Sequence, residues 1–186
     1  MNTMNTMSTL NALNTLNPRH AARIIALQVL YEVDLSPHKP GIVLSRHFVE
    51  SPELPDELRS FASELVSGVT ARRAELDERI HACAPEFPVE ALAAVDRNVL
   101  RIALFELERG DVPMKATVNE AIELAKEFGA DASPRFINGV LASAIVRYHS
   151  EIGANKQDVA DVVDVSAPNV SDVLDVSDRD QASNSE

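Results

Sequence analysis

The stretch Asp111–Arg147, DVPMKATVNEAIELAKEFGADASPRFINGVLASAIVR, reads as two helices with a sharp turn between them. Thr117 and Glu120 have the T-x-x-E spacing of a capping box, in which each side chain satisfies an orphan N–H at a helix start. Val118, Ala121, Ile122 and Ala125 follow at helical spacing and make one apolar face. The pattern predicts that Phe128 closes this helix and that Gly129 stops it in the left-handed region. Ser133 is then expected to cap the next helix, with Pro134 at the first helical position, where its missing N–H costs nothing. That helix is predicted from Arg135 to about Tyr148, with Ile137, Val140, Leu141, Ala144 and Ile145 on its apolar face.

The same spacing continues upstream. Leu92–Leu107 is apolar on nearly all faces, which marks a helix wrapped by the others. From Asp56 a long helical stretch carries Leu58, Phe61, Leu65, Val69, Leu76 and Ile80, with Gly68 as a candidate bend and Pro85–Pro88 as its end. Ile42–Val49 reads as a short helix, and Arg19–Leu35 as the first helix, opened by Asn17 and Pro18. Strand signals are scarce. The reading is an all-α domain, a compact bundle of about seven helices over residues 19–150. Residues 1–18, with near-repeats such as MNTMNT, read as a disordered extension, and residues 151–186, rich in Asp, Val and Ser, as an acidic low-complexity tail.

Composition narrows the function. Apolar residues make up 45% of the 186, enough for one core, but aromatics are only 4% and Trp is absent, so that core rests on Leu, Ile, Val and Ala. The lone cysteine, Cys83, excludes an internal disulfide and a Cys-cluster metal site, and fits a reducing cytoplasm. No apolar run reaches the roughly 18 residues of a membrane span, and Met1–Pro18 lacks the basic start of a signal peptide. Net charge is −12, yet residues 151–186 hold nine acids against two bases, and residues 19–150 hold 20 acids against 15 bases. Most of the excess acid therefore lies in the tail, and a local basic patch on the domain remains open to RNA.

Enzymatic constellations are poor. His20, His38, His47, His81 and His149 do not fall in metal-ligand spacing, and no phosphate-cradling glycine loop or nucleophile elbow is present. No catalytic residue, metal or cofactor is expected, and Asn119, Glu120 and Glu123 read as a capping residue and a solvated face. RNA contact is the alternative. Arg19, His20 and Arg23 occupy the first turns of the first helix, where cations oppose the macrodipole. Ser133, Arg135 and Phe136 sit at another helix start, where free N–H groups suit phosphate and an aromatic ring suits an unpaired base. Plain core packing is the competing reading for Phe136.

VPMKATVNEAIELAKEFG followed by SPRFINGVL resembles the bacterial NusB family of transcription antitermination factors. Val95–Leu107, VDRNVLRIALFEL, is similar to that family's central helix, and Arg19–Leu35, RHAARIIALQVLYEVDL, to its first. The resemblance implies a compact helical domain that binds boxA RNA together with NusE, a small-subunit ribosomal protein. It also implies a role in read-through by the transcription elongation complex, notably in ribosomal RNA operons. On this resemblance Arg19, Arg23, Ser133, Arg135 and Phe136 fall on the RNA side, and Tyr31 and Asp96 towards NusE. The family's arginine run is thinned here to R-H-A-A-R, and Ala132 stands where relatives often have a polar residue. The resemblance leaves a homodimer open. Two rival readings stay open: a helical protein-interaction module without RNA binding, and the NusB-like part of a ribosomal RNA methyltransferase.

Overall fold

The computed structural model describes residues 18–149 and 151–152. The expected N-terminal extension, apart from Pro18, and the acidic tail beyond Ile152 lie outside the described residues. Among the described residues seven α-helices follow in order: α1 (Pro18–Leu35), α2 (Pro40–Glu50), α3 (Asp56–Ala71), α4 (Arg73–Cys83), α5 (Ala94–Arg109), α6 (Met114–Phe128) and α7 (Ser133–Tyr148). A 3-10 turn, Val89–Ala91, precedes α5, and no strand occurs among the described residues.

The apolar all-round helix is the centre. Every residue of α5 from Asn98 to Leu107 is buried, and α5 packs against α1, α3, α4, α6 and α7. Leu100, Ile102, Leu65, Leu76, Ile80, Ile137, Leu141 and Ile145 interlock in one core without Trp. Burial of such side chains stabilises the fold by roughly 1.5–3 kcal/mol each.

Four local expectations are corrected. The long stretch from Asp56 is two helices, broken at Arg72. Gly68 does not bend α3; a Cβ there would stand 2.0 Å from the Phe105 ring, so Gly68 is the notch into which α5 packs. α6 begins at Met114, three residues before Thr117, with Pro113 at the N-cap; Thr117 is buried inside the helix and caps nothing. Gly129 ends α6 in extended backbone (φ −90°, ψ −175°), and the left-handed stop belongs to Gly110 after α5 (φ 69°). Gly129 is required by close approach instead: a Cβ would meet Ala125 O and Ser133 Cβ, both at 2.6 Å.

Candidate nucleic-acid interface

The first turns of α1 are built around charge. Arg23 is only 2% exposed. Its Nε and Nη2 each donate to a carboxylate oxygen of Glu106 on α5, at 2.8 Å. Its Nη1 donates to Glu120 on α6 at 3.3 Å. His20 Nδ1 lies 2.8 Å from the same Glu120 oxygen, and its Nε2 lies 3.5 Å from Glu127 near the end of α6. The Glu120 hydrogen bond raises the His20 imidazole above its ordinary range; burial opposes this, and the charges of Glu120 and Glu127 reinforce it. Glu120 is therefore an internal hub, not part of a solvated face. Arg19 alone of this trio of cationic positions points outward, its guanidinium 5.1 Å from the Phe61 ring centre, while Arg23 covers the same ring at 5.3 Å.

At the start of α7, Ser133 exchanges two bonds with Ala130. The Ala130 N–H donates to Ser133 Oγ at 3.0 Å, and the Ser133 N–H donates to Ala130 O at 2.9 Å. Ser133 is buried and is the first residue of the helix, with Ala132 at the N-cap, so its hydroxyl fixes the turn from Gly129. Arg135 is exposed, and like Arg19 it forms no ion pair among the described residues, where most other arginines are held by carboxylates. Phe136 is half-buried, edge to face with Phe87 at 5.7 Å between centroids and 80° between planes. The His20–Glu127 contact brings the α1 start beside the end of α6, from which the turn leads straight into Ser133 and Arg135.

The sequence pointed to five residues for one RNA face. The structure brings Arg19, Arg135 and Phe136 to the surface and places Arg23 and Ser133 inside, as the supports beneath. At 2% exposure, with three of its five N–H donors on the carboxylates of Glu106 and Glu120, the Arg23 guanidinium lies beneath the surface, so the structure does not bring it out as a direct contact. Phe61, Phe87, Glu106 and Glu127 were not singled out from sequence. Only the E-F-P context of Phe87, an aromatic beside a proline in a helix-ending loop, carried a signal.

The far end of α1 is separate. Tyr31, 43% exposed, is twelve residues along from Arg19, about 18 Å at helical rise. Next to it, Asp34 receives Arg73 at 2.6 Å and Arg101 at 3.2 Å, and also pairs with Arg97. Arg101 is held in turn by both oxygens of Asp77, at 2.6 and 2.9 Å. Asp96 sits half-buried in the first turn of α5 beside Arg97. Tyr31 and Asp96 thus lie at the same end of the α1–α5 pair.

Among the described residues no group of three or more His, Cys, Asp or Glu is arranged to hold a metal ion. No described helix is long and apolar enough to cross a membrane. Burial pushes the Cys83 thiol up, away from a reactive thiolate.

Fold and site together define a small all-helical domain: a central helix clamped by buried arginine–carboxylate pairs, with exposed Arg19 and Arg135 and an aromatic pair at its surface. The chain belongs to the NusB family, whose model matches residues 20–146. The transcription antitermination protein NusB of Chloroflexus aggregans is 47% identical over 142 residues, 75% of this chain and 94% of that protein. Among solved structures, NusB of T. maritima superposes with a TM-score of 0.67 at 26% identity, over 76% of this chain and 96% of that one. A chain from the crystal structure of the antitermination factors NusB and NusE in complex with dsRNA matches with a TM-score of 0.66 at 25% identity, over 72% and 99%.

Proposed function

We propose that this chain is a transcription antitermination factor that binds boxA RNA jointly with NusE and promotes read-through by RNA polymerase, notably in ribosomal RNA operons. The carrying observation is the relative solved with NusE and RNA, of which this chain covers 99%. The residues offer matching chemistry. Arg19 and Arg135 are exposed cations without carboxylate partners among the described residues, suited to phosphate, and Phe136 offers an aromatic surface suited to an unpaired base. Arg23 and Ser133 serve by holding the α1 start and the α7 turn in place. Tyr31 and Asp96, at the other end of α1, face NusE. The role is binding, with no catalytic step and no cofactor, and it is exercised in the cytoplasm with the elongation complex. Residues 19–150 form the binding domain, flanked by the extension and the acidic tail.

The test is a gel shift with boxA RNA, single-stranded and as a duplex, with and without NusE. Tighter binding of the single strand, strengthened by NusE, is expected. Equal failure of all four combinations overturns the reading and leaves the protein-interaction module in its place.

A further inference from the structure

We propose that Phe87 is a second base-stacking surface, forming with Phe136 a two-ring cradle for an unpaired RNA base. This rests on the RNA-binding reading above and extends it to the loop between α4 and α5. Phe87 is 47% exposed, the one phenylalanine of the six in the chain that is exposed. It is not exposed because its loop is loose. The Phe87 N–H donates to Ala84 O at 3.0 Å, Ala84 is buried and bonded back to α4, and Pro85 and Pro88 fix the backbone on both sides. The ring is thus presented rigidly, so stacking on it orders little that is not already ordered.

The geometry leaves ring surface to share. In an edge-to-face pair, the ring that contributes its edge keeps both faces clear of its partner. Neighbouring charge then sorts the ligand. Glu86 and Glu90 are exposed on the Phe87 side and repel phosphate, while exposed Arg135 lies next to Phe136 and attracts it. A strand running with its phosphates over Arg135 turns its bases towards the rings, where carboxylates accept from base amino groups. Packing alone does not account for Phe87, since an aliphatic side chain would cover Phe136 as well.

The chain contains no Trp, so Phe87→Trp installs a single indole at the proposed contact. Titrating that full-length variant with single-stranded boxA RNA should quench its fluorescence, with the midpoint of RNA binding itself and affinity retained. Phe87→Leu, which keeps an apolar cover on Phe136, should bind about tenfold more weakly, the scale of one lost base stack. An unquenched indole on RNA binding, or a Phe87→Leu variant that binds like the parent while Arg135→Ala binds less, overturns the inference and leaves the RNA reading standing. Quenching by NusE alone assigns the ring to the protein partner and also overturns it. A parent chain that binds no RNA with or without NusE overturns both.

Discussion

Arg23 near the start of α1 and Glu106 near the end of α5 form a buried two-bond ion pair, both bonds 2.8 Å, between residues 83 apart in sequence. At the opposite end of the same two helices the polarity reverses: Asp34 on α1 meets Arg97 and Arg101 on α5. Reversal of α1 against α5 would set like charges together in the core, and a slip would leave both pairs buried without their partners, so the two clamps fix register as well as distance. Arg23→Ala leaves Glu106 buried without its partner and is expected to cost about 3–5 kcal/mol of unfolding free energy. Urea denaturation checks it. Loss of RNA binding in such a variant should follow the unfolded fraction; a fully folded Arg23→Ala chain with lost RNA affinity would return Arg23 to the contact surface.

Stability should depend on pH through His20. Its folded pKa is raised, foremost by the Glu120 hydrogen bond and against burial. A raised histidine contributes stability that is complete below the ordinary value of 6.5 and fades as pH rises through the folded value. His47 works in the other direction: burial lowers its pKa, so it withdraws stability as pH falls below 6.5. The two windows lie on either side of 6.5 and can be separated. Denaturant titrations above pH 6.5 should show a decline in the parent that His20→Gln flattens. A parent–variant difference independent of pH would rule out the protonated His20 bridge.

Gly68→Ala is expected to destabilise by about 1–3 kcal/mol, because the added methyl overlaps the Phe105 ring and forces α3 from α5. Combining it with Phe105→Leu, which withdraws the ring atoms it strikes, should recover part of that loss in a double-mutant cycle. If Gly68→Ala instead stabilises, as the higher helix propensity of alanine alone would have it, the notch between α3 and α5 is not closely packed.

The helices were legible in the sequence because burial repeats every three or four residues, and α5 stood out because its burial does not pause. Partners were not legible. Nothing local in Arg23 names Glu106, and nothing in Glu120 reveals that its carboxylate serves His20 and Arg23 across the bundle. Glu120 also shows how a local motif misleads: Thr117 and Glu120 match a capping box, but Pro113 has already set the start of α6, so Glu120 bonds across the bundle and Thr117 is buried inside the helix. Gly129 was placed at the right helix end for the wrong reason. Gly129 answers to crowding by Ser133, and Gly110 to handedness. At the proposed RNA face, sequence identified cations but not their exposure, and exposure divides Arg19 from Arg23 four residues away.

That division predicts how binding responds to salt. Each phosphate neutralised by a cation releases condensed counterions, so the slope of log affinity against log salt counts contacts, about 0.7 per phosphate on a single strand. Arg19 and Arg135 stand exposed and without ion-pair partners among the described residues, so each can neutralise a phosphate without first breaking an internal bridge. Arg19→Ala and Arg135→Ala are each expected to weaken boxA binding and to reduce the slope by about 0.7, with little change in thermal stability. Lys126 is the control: it is equally exposed but already paired with Glu123 at 2.7 Å on its own helix, and Lys126→Ala should leave the slope unchanged. Affinities measured by fluorescence anisotropy across a salt series, with NusE present throughout, separate the cases. Slopes that stay at the parent value in both arginine variants would mean that the phosphates run elsewhere on the domain.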